Sequence, residues 1–218
     1  MNIVSPPVSD GVTITNMPLE NIVSWANGIT IRNQIAGMPE WAKKERFDIT
    51  AKVSDEDLAA FQKVTDPIVR VSMLQKILVD RFKMRSHYET RELAGYALVV
   101  GKGGSKLIEV EAPTGPDGVK NGGGRRVRPG DYESSGMWLL PFVRQLMQEL
   151  GCVVVDKTGL TGNYNFTLKW TPENMEATET SGPSIFTAVQ EQMGLKLEPV
   201  KVPTKVLVID SIERPSEN

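Results

Sequence analysis

The chain has 218 residues, 40% hydrophobic and 24% charged, the composition of an ordinary folded protein with one substantial core or two small ones. With 25 Lys and Arg against 27 Asp and Glu the formal charge is −2, and only 6% of residues are aromatic. That excludes a global basic field for nucleic acid or an anionic membrane and leaves little material for base stacking.

Residues 1–15 read as a lead rich in Ser and Pro, and its start lacks the charged and apolar regions of a secretory signal. A helix is predicted over 18–27, with Pro18 suited to its first turn, Leu19, Ile22, Val23 and Ala26 on one face, and Gly28 as the stop. Residues 31–36 read as a strand, Trp41 as packing back on the core, and 46–53 as a second strand. Ser54 opens a polar excursion to Pro67 with a short exposed helix at 58–62. A helix over 72–81, with Met73, Leu74, Ile77 and Leu78 inward, leads into strands at 82–87 and 95–100.

Between 109 and 135 the pattern breaks down into Pro and Gly, and the segment reads as a mobile linker or long loop. The second half then gives a helix over 138–150 striped by Trp138, Leu139, Phe142, Val143, Leu146, Met147 and Leu150, with Gly151 as its end. Strands follow at 152–155 and 163–170, a helix at 184–193, and strands at 195–200 and 205–210. No run approaches the roughly 18 apolar residues that a membrane-spanning helix needs.

The two halves repeat one another. Phe47-Asp48-Ile49-Thr50-Ala51-Lys52-Val53 and Tyr164-Asn165-Phe166-Thr167-Leu168-Lys169-Trp170 are the same strand, aromatic first and with Thr-x-Lys at the same place. Ala97-Leu98-Val99-Val100 answers to Leu207-Val208-Ile209-Asp210 after a small net deletion in the second half. The expected fold is therefore α+β, two tandem repeats of an α-β-β-α-β-β unit with antiparallel or mixed sheets and helices packed on one face. The expected divisions are a lead at 1–15, a first repeat at 16–108, a linker at 109–135, a second repeat at 136–213 and a tail at 214–218.

Candidate chemistry is sparse. Asp156-Lys157-Thr158-Gly159 carries the letters of the phosphorylated aspartate of P-type pumps, but the second acidic cluster and nucleotide domain that this chemistry needs have no counterpart. It reads as a tight connection. Gly101-Lys102-Gly103-Gly104-Ser105-Lys106 fails the P-loop spacing and reads as a glycine turn. His87 stands in His87-Tyr88-Glu89-Thr90-Arg91-Glu92, where a general base oriented by Glu89 or Glu92 is conceivable but no nucleophile motif accompanies it; a turn between strands tied by Arg91 is preferred. One histidine and one cysteine, Cys152 in an apolar run, leave neither a zinc ligand set nor an internal disulfide. Arg125, Arg126 and Arg128 read as solvated loop charges rather than a phosphate or acidic-partner clamp. Of the four tryptophans, Trp170 is the one expected to be exposed, with most of the others in the core.

Several of these segments together resemble a known family. Arg81-Phe82-Lys83, His87 to Glu92, Tyr96 to Val100, Val155-Asp156-Lys157-Thr158-Gly159-Leu160-Thr161-Gly162-Asn163-Tyr164, Gln192-Met193-Gly194-Leu195-Lys196-Leu197, Val208-Ile209-Asp210 and Arg214-Pro215-Ser216-Glu217-Asn218 are similar to the motifs of the uncharacterised "soil-associated" proteins of acidobacteria and related soil bacteria. The resemblance spans most of 37–218. It implies export, hence a periplasmic or secreted location, and a binding or sensing role; it implies no catalytic residues. The halves also resemble, in topology only, the short N-terminal signalling domain of secretins and TonB-dependent receptors.

The functional expectation is a non-enzymatic binding or assembly protein with no cofactor, metal or nucleic acid. It would engage a protein partner, copies of itself or a cell-surface polymer through open strand edges and the flexible 109–135 segment. His87, Glu89, Arg91, Asp156, Lys157, Trp170, Arg125 and Arg126 are the candidate binding residues. A hydrolase using His87 with Glu89, Glu92 or Asp156 is the alternative.

Overall fold

A computed structural model describes residues 2–4, 11–53, 56, 67–111, 113, 122–172 and 182–216. The architecture is mixed α+β. In chain order the elements are β1 (Asn2–Val4), β2 (Gly11–Pro18), α1 (Leu19–Ala26), β3 (Ile35–Ala36), α2 (Glu40–Lys44), β4 (Arg46–Lys52), α3 (Pro67–Phe82) and β5 (Arg85–Val100). Then follow β6 (Ile108–Val110), β7 (Gly123–Arg128), β8 (Asp131–Met137), α4 (Leu139–Leu150), β9 (Val153–Asp156), β10 (Asn163–Lys169), α5 (Ile185–Met193) and β11 (Leu195–Ser211).

The chain forms two compact units, Met1–Arg91 with Thr204–Asn218 and Glu92–Pro203. This differs from a division at a 109–135 linker. The long strands β5 and β11 each run through both units, so the last stretch of chain returns to the first one.

In unit 1 an antiparallel sheet has the order β1-β2-β4. Val12 and Ile14 of β2 point inward and Thr13 and Thr15 outward, as a half-buried strand requires. Strict alternation would turn Met17 outward. A bulge between Ile14 and Met17, with Asn16 at φ 52, resets the phase and buries Met17. The Asn16 N–H, freed from the ladder, donates to Asp48 Oδ1 at 2.6 Å. Leu19, Ile22, Val23 and Ala26 of α1 and Leu74, Leu78 and Phe82 of α3 close the core, joined by Leu207 and Ile209 of β11. Each such large side chain contributes on the order of 1.5–3 kcal/mol by burial.

In unit 2 the antiparallel sheet has the order β6-β10-β8-β7. Its central β8–β10 pair has the register of the β2–β4 pair. Met17 opposite Phe47, Ile14 opposite Ile49 and Val12 opposite Ala51 answer to Met137 opposite Tyr164, Ser134 opposite Phe166 and Tyr132 opposite Leu168. The bulge recurs at the same place: Gly136 has φ 60 and its N–H donates to Asn165 Oδ1 at 2.7 Å. Phe142 of α4 packs between Tyr132 and Phe166, with ring centroids 5.5 and 5.1 Å away, and Leu146, Leu168, Val189 and Met193 complete the core.

A third sheet has the order β3-β11-β5-β9. In unit 1, β3 runs parallel to β11 with Ile35 opposite Leu207; in unit 2, β9 runs parallel to β5 with Tyr96 opposite Val154.

The structure corrects several expectations. The described part of the 109–135 segment is in large part sheet: β7 lies within it, β6 ends in it and β8 begins in it. Gly124 is required by packing, since a Cβ there would meet the Tyr132 hydroxyl and the Met137 methyl. All six β7 residues are exposed, so the strand carries no apolar period to read. The strands expected at 82–87 and 95–100 are one strand, as are those at 195–200 and 205–210. Residues 31–36 hold a 3-10 turn at Arg32–Gln34 and only a two-residue strand. Residues 11–18, placed in the N-terminal lead and the first helical turn, form a central strand. The short helix expected at 58–62 lies outside the described residues.

Candidate functional site

Arg46-Phe47-Asp48-Ile49-Thr50-Ala51-Lys52 alternates throughout, and β4 accordingly half-buries Phe47, Ile49 and Ala51 and exposes the rest. One edge of β4 pairs with β2; among the described residues no strand pairs with the other. Along that edge runs a cleft of about 380 Å³, lined by residues 47–51, by Ile77, Arg81 and Phe82 of α3, and by Pro215 and Ser216. Phe47 and Phe82 meet edge to face at 5.1 Å and form its apolar floor.

The C-terminal segment is fastened beside this edge. The Glu213 N–H donates to the Phe82 carbonyl at 2.7 Å, Arg214 binds Glu45 through Nη2 at 2.6 Å and Nε at 3.1 Å, and its guanidinium lies 4.7 Å over the Trp41 ring. The Arg214 hydrogen bonds hold the Glu45 carboxyl below the usual carboxylate range. Pro215 and Ser216 thereby become one wall of the cleft.

In unit 2 the equivalent edge is filled. β6 lies antiparallel to β10, with Val110 opposite Asn163, Glu109 opposite Tyr164 and Ile108 opposite Asn165. By the register the two strand pairs share, these β10 positions answer to Arg46, Phe47 and Asp48.

Three of the sequence-predicted residues come together on β5. The turn expected at 87–92 is instead continuous strand, so His87, Glu89 and Arg91, two residues apart, share one face. His87 Nδ1 is 2.9 Å from Asp210 Oδ1 of β11, His87 Nε2 is 3.1 Å from Glu89 Oε1, and Arg91 Nη2 is 2.7 Å from Glu89 Oε2. Hydrogen bonds to Asp210 and then Glu89 raise the His87 pKa, while His87 and then Arg91 lower that of Glu89. Both ring nitrogens face carboxylates, which stabilise the charged imidazole and leave neither nitrogen directed at a hydroxyl or thiol nucleophile. On the strand's other face, Lys205 Nζ sits 4.1 Å over the Tyr88 ring.

The remaining candidates are not drawn together. Asp156 Oδ1 accepts from the Thr158 N–H at 2.9 Å and its hydroxyl at 2.7 Å, which closes the connection after β9. The Lys157 N–H donates to the Leu98 carbonyl. Arg125 pairs with Glu133 at 3.2 Å, Arg126 with Glu149 at 3.2 Å and Arg128 with Asp131 at 3.3 Å, so these are strand-edge ion pairs and not loop charges. Trp170 is buried and its N–H donates to the Gly130 carbonyl; Trp138 is the exposed one, because it caps α4 from outside the helix while its neighbour Leu139 enters the core. Cys152 precedes β9, half-buried, and burial pushes its thiol pKa up.

Asp210 was missed, since only the β5–β11 pairing brings it to His87. The β4 edge was beyond reading for the same reason: alternation reveals a strand and says nothing of its neighbours.

Among the described residues no helix is long and apolar enough to cross a membrane, and no three His, Cys, Asp or Glu side chains are arranged to hold a metal ion. No curated protein and no solved structure matches the chain. A family profile does match, over residues 20–212, and by it the chain belongs to DUF3738, a family of proteins of unknown function.

Proposed function

We propose that this is a binding or assembly protein without catalytic activity, acting through its sheet edges, and that the β4 edge is its principal contact surface. The observation that carries the reading is the contrast between two matching strands: β10 is paired on both sides, whereas among the described residues β4 is paired on one and flanked by an apolar cleft. An edge of this kind offers backbone donors and acceptors to an added strand and side-chain pockets for specificity. The described part of the 109–135 segment is largely sheet, so the edges carry the reading rather than a flexible adaptor.

Two finer statements belong to the same proposal. The halves are tandem copies of one α-β-β-α-β-β unit, supported by the common strand-pair register and the common bulge with its Asp48 or Asn165 acceptor. The chain is one of the exported soil-associated proteins, supported by the sequence motifs given above. The hydrolase alternative gains no observation, because the described partners of His87 are carboxylates and include no hydroxyl or thiol nucleophile.

The test combines light scattering behind size exclusion over a wide concentration range with binding of the purified chain to an array of extended peptides. Growth in mass, or retention of strand-forming peptides, supports edge binding. A constant monomer mass together with no retained peptide would overturn it.

A further inference from the structure

We propose that the two outer edges of the unit 2 sheet bind one another between copies of this chain, β6 of one copy antiparallel to β7 of the next, with Glu109 opposite Arg126 and Ile108 opposite Val127. This rests on the sheet-edge reading and names a second copy as the partner, at edges distinct from that of β4. In the order β6-β10-β8-β7 every neighbour is antiparallel, so β6 and β7 run in opposite directions. A copy set beside the first in the same orientation therefore continues the sheet with its alternation unbroken. Among the described residues no strand pairs with the outer side of either edge.

The side chains make the two edges complementary. β7 carries Arg125, Arg126 and Arg128, whose partners Glu133, Glu149 and Asp131 lie behind it on β8 and α4. The Glu149 and Asp131 side chains are only 12% and 9% exposed, whereas those of Arg125 and Arg128 are 76% and 72% exposed. The outermost layer of this edge is therefore cationic. β6 carries Glu109 and is followed by Glu111, both exposed and neither in an ion pair among the described residues. Glu109 lies opposite Tyr164 and Arg126 opposite Tyr132, two rings of the same core, so these opposite charges share one face of the sheet. The register that joins them also brings Ile108, 65% exposed, to Val127, 45% exposed. Joining β7 to β7 would set arginines against arginines, and β6 to β6 glutamates against glutamates, so unlike edges meet. Such a contact leaves one edge open at each end of a row of copies and allows the row to grow.

The probe is the full chain, as wild type and as the double variant Ile108→Cys/Val127→Cys. The two edges of a four-stranded sheet are about 14 Å apart, beyond the roughly 7 Å that a disulfide spans between Cα atoms. A bridge between the two new thiols therefore forms only across copies. The expected results are a wild-type mass that grows with concentration and, under mild oxidant, a ladder of disulfide-linked species that neither single variant gives. Glu109→Arg and Arg126→Glu should each raise the concentration of half-assembly by about tenfold or more, and an equimolar mixture should restore assembly, since each supplies the edge that the other lacks. Variants that assemble as the wild type does, or a mixture that stays monomeric, overturn the contact. Assembly without a ladder, with amide protection mapping to 46–52, overturns it too and leaves the sheet-edge reading standing. So does a constant monomer mass from a chain that retains extended peptides. A constant monomer mass with no retained peptide overturns both this inference and the reading beneath it.

Discussion

The β2–β4 strand pair of unit 1 and the β8–β10 strand pair of unit 2 share register, bulge and side-chain acceptor, yet among the described residues they differ in what lies on the outer edges of β4 and β10. β10 carries β6, while β4 carries a cleft bounded by α3 and the C-terminal segment. The difference teaches that a strand's sequence sets its inward and outward faces, whereas what pairs along its edges is decided by chain elsewhere. The proposed contact surface lies where these two otherwise matching parts of one molecule diverge.

The largest expected effect concerns the separate cores. Phe142 is fully buried between Tyr132 and Phe166, and Phe142→Ala should cost about 3–5 kcal/mol in denaturant unfolding. Exchange protection should fall first in unit 2, because Phe142 belongs to a core cluster distinct from that of Leu78. Equal loss in both units would break the comparison.

Next comes the bulge. Gly136→Val places a β-branched residue at φ 60 and drives its Cβ into the Pro113 ring, for a cost of about 2–4 kcal/mol. Asn16→Gly, at the matching position with φ 52, should change stability by less than about 1 kcal/mol. Similar costs at the two positions would mean that the bulges are not equivalent.

Removing the bulge acceptors is a smaller perturbation. Asp48→Ala and Asn165→Ala should each cost about 0.5–1.5 kcal/mol, with Asn165→Ala the larger because its bond is half-buried. A neutral result at Asn165 would deny the side chain its part in holding the bulge.

The smallest effect is that of pH on the exposed His87 cluster. Its imidazole pKa is raised above the ordinary value of about 6.5, so its contribution is full below that value and lost as pH rises through the folded one. The Glu89 pKa is lowered, so its contribution is present above the ordinary carboxylate value and lost as pH falls through the folded one. The difference in Tm between wild type and His87→Gln should therefore shrink as the solution is made alkaline. A difference that grows with pH would contradict the geometry.

Much of the fold is legible in the residues. Leu19, Ile22, Val23 and Ala26 announce α1, and Phe47 and Tyr164 mark the paired strands, because helical and strand periods are local properties. Gly122 to Arg128 misled, since Gly122 and Gly124, where a Cβ would meet Gly136 or the Tyr132 and Met137 side chains, look the same in sequence as glycines of a loose linker. His87, Glu89 and Arg91 could be picked out as a cluster, but Asp210 reaches them only through pairing of distant strands. That β4 pairs on one side only among the described residues is a property of the whole assembly of strands and leaves no mark in Arg46 to Lys52.

The most direct test is residue-resolved amide exchange on the free protein, comparing residues 46–48 with 163–165. In β10 the amides turned toward β6 should be protected, while their counterparts on the outer edge of β4 should exchange at rates near those of exposed backbone. Equal protection of the two sets would show the β4 edge to be covered in the free protein and would contradict the account.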